Sequence, residues 1–190
     1  MIVSLRPVAV NDALPLMRWS NDDVTCRYMA TGRVPLTCGA EAMALWAPLG
    51  SNPFIILACE EWWKSEAVGV IGLYAIDRLS RKAELRIMIG PDGRGAGIGT
   101  QAVRMLVKYG FEVEGLNRIY LGTAVANLAA VKCFEAAGFR PEGVLMEDLI
   151  RDGNTFDNLR MAILRKEWDE LRGEEKRNLG GLASPGDLMN

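Results

Sequence analysis

Hydrophobic and polar residues alternate along residues 2–8, and further short, mostly apolar stretches have the length of a strand, so both patterns predict β-strands. These stretches cover residues 2–8, 54–59, 68–76, 83–89, 119–125, 140–150 and 156–164. Elsewhere apolar residues recur at helical spacing, as Val103, Leu106, Val107 and Phe111 do. Helices are predicted over residues 12–19, 21–29, 37–46, 100–111, 127–137 and 166–171. Strands and helices that alternate along one chain indicate a mixed α/β fold.

The pattern predicts one domain at residues 1–172 and a different kind of segment after it. A chain of 190 residues suits a single domain of ordinary size. Residues 173–190 include Gly, Ser and Pro and have little to bury, so they are expected to form a flexible tail.

Composition narrows the classes of partner. Lys and Arg number 22 against 24 Asp and Glu, a net charge of −2, so the chain lacks the basic excess that a broad nucleic-acid surface needs. The longest apolar runs, such as residues 54–59, are far shorter than a membrane span, and residues 1–7 do not follow the pattern of a signal peptide. We therefore expect a cytoplasmic protein that binds neither nucleic acid nor membrane.

Histidine is absent from the chain, and its absence excludes several mechanisms. Without imidazole there is no Ser-His-Asp or Cys-His catalysis and no histidine-bound metal. The four cysteines are widely spaced and form no C-x-x-C pair, so a metal site is not expected and a reducing compartment fits. Proton transfer must then use carboxylates, Tyr, Cys, Lys, backbone groups or water.

The most informative segment is a glycine cluster, with glycines at 90, 93, 95, 97 and 99, between a predicted strand and a predicted helix. Glycine lets the backbone approach a ligand, and the first-turn N–H groups of a helix attract a pyrophosphate. A Walker loop would need Lys where Gly99 stands. A dinucleotide fingerprint is met only loosely, because Gly95 and Gly97 are followed by Thr100. A glycine-rich turn without a ligand is the remaining alternative.

Two motifs, in order along the chain, resemble those of a known superfamily. Arg94, Gly97 and Gly99 match the spacing Q/R-x-x-G-x-G/A. Further along, the segment from Asn127 to Phe139 is similar to N-x-x-A-x-x-x-Y-E-x-x-G-F. These are signatures of the GNAT superfamily of N-acetyltransferases. The resemblance covers roughly residues 1–171 and is to the branch of ribosomal-protein, polyamine and amino-sugar acetyltransferases.

The resemblance implies a fold and an acyl donor. The fold is a mixed, mostly antiparallel sheet of six or seven strands, splayed in the middle, with helices on both faces. The donor is acetyl-coenzyme A (acetyl-CoA), with its pantetheine arm between the splayed strands and with no metal ion. The residues implied to hold it are Met88, Ile89, Arg94, Gly95, Ala96, Gly97, Ile98, Gly99, Thr100, Asn127, Lys132 and Phe134. For Lys132, a solvated position on the helix is an equal alternative.

The resemblance also implies catalytic groups. Glu84 lies on the strand that leads to an expected bulge near Ile87 and Met88, and it is the implied base for the acceptor amine. A backbone N–H near Met88 is the implied oxyanion donor. The family's usual acid is a tyrosine of the second motif, but this chain has Phe134 there. A phenyl ring cannot donate a proton, so water or another group protonates the thiolate, or the thiolate leaves unprotonated. Cys133 is expected to face the core.

The implied acceptor is an amine. Asp148 and Asp157, with Glu147 beside them, would make an acidic mouth for a cation, and solvated hairpin charges are an equal alternative. Trp19 and Tyr28 resemble aromatic residues that line the acceptor pocket in this branch, and core packing is the alternative for both.

Three functions stay open at this point. The first is acetylation of a primary amine on a small molecule, which is a polyamine, an amino sugar or an aminoglycoside. The second is acetylation of a peptide N-terminus, as in the enzymes that act on ribosomal proteins. The third is a catalytically silent acyl-CoA-binding protein, which Phe134 keeps open. A homodimer is compatible with each of them.

Overall fold

The computed structural model describes residues 1–28, 35–59, 65–151 and 153–180, with the side chains of 151 and 174–180 left out. The strands are β1 (Ile2–Pro7), β2 (Asn52–Cys59), β3 (Ser65–Asp77), β4 (Lys82–Ile89), β5 (Arg118–Ala124), β6 (Arg140–Arg151) and β7 (Asn154–Leu164). Within the described residues they form one seven-stranded sheet in the order β1-β2-β3-β4-β5-β7-β6. All neighbours are antiparallel except β4 and β5.

The helices are α1 (Ala13–Ser20), α2 (Asp23–Tyr28), α3 (Gly39–Trp46), α4 (Ile98–Glu112), α5 (Leu128–Ala136) and α6 (Arg165–Gly180). Short 3₁₀ turns at Val10–Asp12 and Pro91–Gly93 precede α1 and α4. The helix predicted over residues 21–29 is present as α2, and its predicted end at Met29 lies outside the described residues.

Helices cover both faces of the sheet. On one face Leu106 and Phe111 of α4 and Trp168 of α6 pack with sheet residues such as Leu73 and Ile119. On the other face α1 and α3 cover the first half of the sheet. Their contact is a second buried cluster of Leu16, Trp19, Ala42, Trp46, Ile55, Val70, Tyr74 and Met88. The mixed α/β architecture with helices on both faces is confirmed.

The sheet opens between its two parallel strands. Strands β4 and β5 pair over only three residue pairs, which run from Lys82 with Arg118 to Glu84 with Tyr120. Beyond Glu84, β4 continues to pair with β3 as far as Ile89, while β5 continues to pair with β7 as far as Ala124. The facing edges of β4 and β5 therefore separate beyond Glu84, which confirms the predicted splay in the middle of the sheet.

The predicted bulge near Ile87 and Met88 is wrong. The register between β3 and β4 is one-to-one from Gly69 and Ile89 down to Tyr74 and Glu84. The irregularity lies beyond that point and on the other strand, where β3 carries an extra residue and Ala75 has a φ of 46°. The left-handed backbone at Ala75 absorbs the extra residue opposite the start of β4. The register of β4 from Glu84 to Ile89 is therefore regular.

Helix α6 is longer than the predicted helix at residues 166–171. It continues to Gly180, through part of the segment expected to be a tail, and residues 181–190 lie outside the description. The prediction of a tail rested on Gly, Ser and Pro, most of which lie beyond residue 180, whereas residues 174–177 are Glu, Glu, Lys and Arg, which favour helix. Among the described helices, none combines the length and the apolar character needed to cross a membrane.

Candidate active site

The glycine cluster forms an open turn at the start of α4. Gly95 and Gly97 have φ angles of 78° and 73°, and a Cβ added at either would meet no atom within 4 Å. These left-handed angles explain glycine there, and the empty space leaves the backbone exposed to a ligand. Gly97 is the residue before the first helical turn, and no side chain among the described residues caps that turn.

The first turn of α4 therefore presents free N–H groups at Ile98, Gly99 and Thr100. There is no acidic residue in this turn, and the side chain of Ile98 is buried in the core. The buried side chain fixes the direction of the backbone. Ala96, between the two left-handed glycines, is exposed. A helix start with uncapped N–H groups and the positive end of its dipole suits a pyrophosphate.

Arg94 is held by protein groups instead of standing free beside the loop. Its Nη2 donates to Asp22 Oδ2 at 2.5 Å and to Thr25 Oγ1 at 2.8 Å, and its Nε donates to the carbonyl of Ile89 at 3.2 Å. Burial opposes the ionisation of Asp22, but hydrogen bonds from Arg94 and Thr25 prevail and lower the pKa of its carboxyl group. The predicted phosphate role of Arg94 stays a prediction, and in this arrangement its charge is already neutralised.

The start of α5 differs from the start of α4 because a side chain caps it. Asn127 Oδ1 accepts from the N–H of Ala130 at 3.3 Å. Because Oδ1 is already used, Asn127 would contact a pantetheine arm by donating from its Nδ2. Lys132, further along α5, is exposed, as a phosphate ligand has to be. Cys133 packs against the core as expected, and burial raises the pKa of its thiol while a hydrogen bond with Thr100 opposes the shift.

Glu84 lies where β4 and β5 separate. Its Oε2 accepts from Nη2 of Arg86 at 2.7 Å and from Nε of Arg86 at 3.0 Å. It is opposite Tyr74 on one side and Tyr120 on the other. The Arg86 guanidinium lies 4.8 Å from the centre of the Tyr74 ring. Sequence reasoning missed Arg86 and Tyr74, although the two-residue spacing of Glu84, Arg86 and Met88 puts all three on one face of β4.

Tyr74 is a buried hydroxyl close to the carboxylate, but it is not a ready acid. Burial raises the pKa of Tyr74 far above its ordinary value, although the charge of Arg86 acts in the opposite direction. Its hydroxyl donates to the carbonyl of Trp46 at 2.7 Å.

Met88 and Phe134 contribute no titrating group. The Met88 side chain is buried against Ser20, and Phe134 is 5% exposed with its ring 5.9 Å from that of Phe139.

Trp19 and Tyr28 have different positions. Trp19 is buried in the cluster under α1 and α3, and a Cβ on Gly90 would lie 2.5 Å from its Nε1. Trp19 therefore packs against the end of β4, which fits the core-packing alternative, and its place at an acceptor pocket stays a prediction. Tyr28 is the last residue of α2 and is half-exposed.

The acidic residues of the last hairpin meet at a bulge in β6. Between Leu145 and Leu149 the register with β7 shifts, and Glu147 has a φ of 51°. The N–H of Glu147 donates to Asp157 Oδ1 at 2.9 Å, so this carboxylate supports the bulge. Asp148 Oδ2 accepts from Nδ2 of Asn158 at 2.7 Å.

Asn158 is a residue that sequence reasoning missed. It is 6% exposed, and its Oδ1 has no hydrogen-bond partner among the described residues. The amide lies over Gly122 of β5, where a Cβ would be 2.8 Å from Oδ1. No pattern in the sequence distinguishes Asn158, because its burial depends on a glycine in a different strand. In the described part of the chain, no three His, Cys, Asp or Glu side chains are arranged to hold a metal ion.

This geometry can be compared with that of known proteins. Residues 3–140 match the acetyltransferase (GNAT) domain family. The chain belongs to this family. The GNAT relatives include a spermidine N(1)-acetyltransferase of Vibrio cholerae, 35% identical over 101 residues that cover 53% of this chain and 58% of the relative. A putative ribosomal N-acetyltransferase of Bacillus subtilis is 36% identical over 101 residues, 53% of this chain and 55% of the relative. The chain thus matches little more than half the length of these relatives.

A solved GNAT structure extends the likeness to most of the chain. The spermidine N-acetyltransferase of Vibrio cholerae, in complex with CoA and spermine, superposes with a TM-score of 0.77 at 26% identity and covers 87% of this chain and 97% of its own. Another structure of that enzyme is described as dodecameric. The family and the GNAT fold inferred from the two motifs are confirmed.

Proposed function

We propose that this protein transfers the acetyl group of acetyl-CoA to a primary amine of a small molecule, and that the amine belongs to a polyamine. One observation carries the proposal: the uncapped start of α4 lies beside the opening between β4 and β5. The first feature suits a pyrophosphate, and the second leaves backbone groups of both strands unpaired for an extended chain. Acetyl-CoA has a pyrophosphate followed by the extended pantetheine arm, and so matches both features in that order.

The residues that hold the donor follow from this arrangement. The N–H groups of residues 98–100 bind the pyrophosphate, and Gly95 and Gly97 allow it to come close. The pantetheine arm lies between β4 and β5, against the backbone groups of β4 that face the opening beside Met88, those of Ile87 and Ile89. Asn127 and Lys132 approach from α5, on the far side of the opening.

The reaction needs two protons to leave the acceptor nitrogen, and it exchanges the C–S bond of the thioester for a C–N bond. Glu84 takes a proton from the ammonium, directly or through water, and the free amine attacks the thioester carbonyl. The oxyanion is stabilised by an N–H of β4 that faces the opening, that of Ile87 or Ile89. The reason is that Gly90 N–H donates to the Val68 carbonyl, and with the one-to-one register this turns the Met88 N–H toward β3. The C–S bond then breaks, and the nitrogen loses its second proton to water. The acetamide is released, and CoA departs as a thiolate that water protonates, because Phe134 has no hydroxyl to donate.

Support for a polyamine comes from the relatives and from the hairpin. The Vibrio relative is a spermidine acetyltransferase, and its solved structure holds spermine. In this chain Glu147, Asp148 and Asp157 collect at the β6 bulge and give that end of the sheet a negative charge. A peptide N-terminus is the second candidate acceptor, favoured by the likeness to the Bacillus ribosomal-type relative.

Assembly and location are part of the proposal. We expect an oligomer built from homodimers, because the Vibrio relative assembles as a dodecamer. We also expect a cytoplasmic protein, since the cysteines form no disulfide within the described residues and a reducing compartment suits them.

The test is release of CoA thiol from acetyl-CoA in the presence of a panel of amines. The panel contains spermidine, spermine, amino sugars, aminoglycosides and peptides with free N-termini. We expect the highest kcat/KM with a polyamine. A peptide as the best substrate would favour the ribosomal-type function, and CoA binding without thiol release from any amine would favour a silent acyl-CoA-binding protein.

A further inference from the structure

Arg94 connects two parts of the molecule that serve different substrates. It belongs to the loop before α4, which is the proposed pyrophosphate site, yet its side chain binds Asp22 and Thr25 at the start of α2. Its Nε also donates to the carbonyl of Ile89, the last residue of β4. One guanidinium thus joins the end of β4, the loop and α2.

The contact is specific to the shape of a guanidinium. Nη2 uses both its hydrogens on two oxygens of α2 while Nε points back to β4, which takes three of the five N–H donors of the group. Asp22 Oδ2 also accepts from the N–H of Thr25 at 3.0 Å, so the same carboxylate organises the first turn of α2. A lysine, with a single nitrogen, cannot span these partners.

Helix α2 is in turn connected to the core below the opening. Cys26 Sγ donates to the carbonyl of Ser20 at 3.1 Å, and Ser20 Oγ accepts from Nε1 of Trp46 at 3.0 Å and contacts Met88 Sδ at 3.9 Å. Tyr28, the half-exposed aromatic residue that the family resemblance assigns to the acceptor wall, ends the same helix. Displacement of α2 therefore displaces Tyr28.

We propose that Arg94 is a positioning residue that couples the pyrophosphate loop to α2, so that CoA on the loop orders the acceptor wall. The inference rests on the proposed function for the site of CoA binding. Because Asp22 neutralises Arg94, the loop's backbone N–H groups carry most of the affinity for the pyrophosphate, and Arg94 acts mainly on the acceptor side. This differs from a direct phosphate role, which the sequence motif alone would suggest.

The primary test is hydrogen–deuterium exchange of the amides of α2, with and without CoA, in the parent, in Arg94→Lys and in Thr25→Val. Thr25→Val keeps Arg94 and the size of the side chain but removes the hydroxyl acceptor. Arg104→Lys is the matched control, because Arg104 lies in the middle of α4 and its Nη2 also donates to a protein oxygen, the carbonyl of Ala136 at 2.7 Å, but among the described residues it makes no hydrogen bond with α2. We expect CoA to slow exchange in the loop and in α2 of the parent and control, but only in the loop of the two α2-contact variants.

A second measurement separates positioning from direct phosphate binding. We expect the Kd for CoA to change by less than about threefold in Arg94→Lys, while the KM for spermidine rises by about tenfold (about 1.4 kcal/mol). The difference in KM between parent and Arg94→Lys should shrink with S-acetyl-pantetheine, which has no pyrophosphate to occupy the loop. A tenfold weaker CoA affinity in Arg94→Lys, or equal protection of α2 in all variants, overturns the inference. If spermidine is not acetylated but α2 is protected by CoA only through Arg94, the acceptor assignment fails and the coupling stands.

Discussion

The two sides of the opening in the sheet differ in whether their hydrogen-bonding and charged groups already have partners within the protein. On the donor side, the first turn of α4 has no side-chain cap and the space around Gly97 is empty. On the acceptor side, the charged groups already have partners, since Glu84 is paired with Arg86 and Asp157 holds a backbone N–H. The proposed donor site is preformed by backbone, whereas the proposed acceptor site is made of side chains that are already engaged with other protein groups.

This difference has a physical consequence for binding. An uncapped helix start gains hydrogen bonds when a pyrophosphate arrives and loses only water. A carboxylate that binds an ammonium must first give up or share its internal partner, so an acceptor has to replace those interactions with equally good ones. We infer that the donor side supplies affinity and that the acceptor side supplies selection between amines.

The largest effect is expected from the acceptor side, at Glu84. Glu84→Gln keeps the shape of the side chain but removes its capacity to accept a proton, and we expect the acetylation rate to fall by about 100-fold below the pKa of the amine. Glu142→Gln is the control, because Glu142 is also a strand carboxylate paired with an arginine, Arg118. The measurement is the pH–rate profile with saturating acetyl-CoA. If the Glu84→Gln profile overlays that of the parent, Glu84 is not the base.

The next effect is expected on the donor side, at Gly97. Gly97→Ala places a methyl group where the pyrophosphate should approach and strains a φ of 73°. Gly115→Ala is matched to it, since Gly115 has a φ of 66° with nothing within 4 Å and follows the other end of α4. Both variants should lose similar stability, but only Gly97→Ala should weaken CoA binding, by about tenfold or more in Kd by calorimetry. Equal CoA affinities in the two variants would remove the loop from the site.

The donor side could be predicted from the sequence to a greater extent than the acceptor side. The donor side depends on glycine spacing and on a helix start, which are local features, so the loop at residues 94–100 and the helix after it could be predicted without any tertiary contact. The splay followed from the family resemblance. The acceptor side depends on which side chains meet across strands, and nothing local reports that Arg94 binds Asp22 or that Asn158 lies over Gly122.

The errors have the same origin. The bulge was expected in β4 from the resemblance, but the extra residue is accommodated in β3, where only the strand register reveals it. Trp19 could be a wall or core from its position in the sequence, and only the fold reveals that it is buried next to Gly90. Helix α6 exceeds its prediction because the Gly, Ser and Pro that suggested a tail lie mostly beyond its end, after a run of Glu, Lys and Arg that favours helix.

A smaller effect, on stability, should show whether Asp157 supports the β6 bulge or also binds the acceptor. Asp157→Ala removes the acceptor for the N–H of Glu147, and we expect a loss of about 1 kcal/mol in the free energy of unfolding by denaturant titration. Asp157→Asn keeps an oxygen at that place and should retain most of the stability. If Asp157→Asn is as stable as the parent but raises the KM for spermidine by more than about tenfold, the carboxylate binds the acceptor as well as the bulge.

The smallest effect is expected at Phe134, where the chain departs from its family. The side chain is buried and packs on Phe139, so Phe134→Tyr adds one hydroxyl to an otherwise unchanged ring. CoA thiolate is a good leaving group that water can protonate, and amine attack and oxyanion stabilisation do not involve this ring. We therefore expect kcat with the best acceptor to change by less than about fivefold, although general acid help can reach about 10²–10⁴-fold where it limits the rate.

The unfolding free energy of the variant is the control, because an unpaired buried hydroxyl costs about 1–3 kcal/mol and would mark a ring that points into the core. An increase of several thousandfold from a negligible parent rate would contradict us, since it would mean that Phe134 silences the site and that the protein binds acyl-CoA without using it.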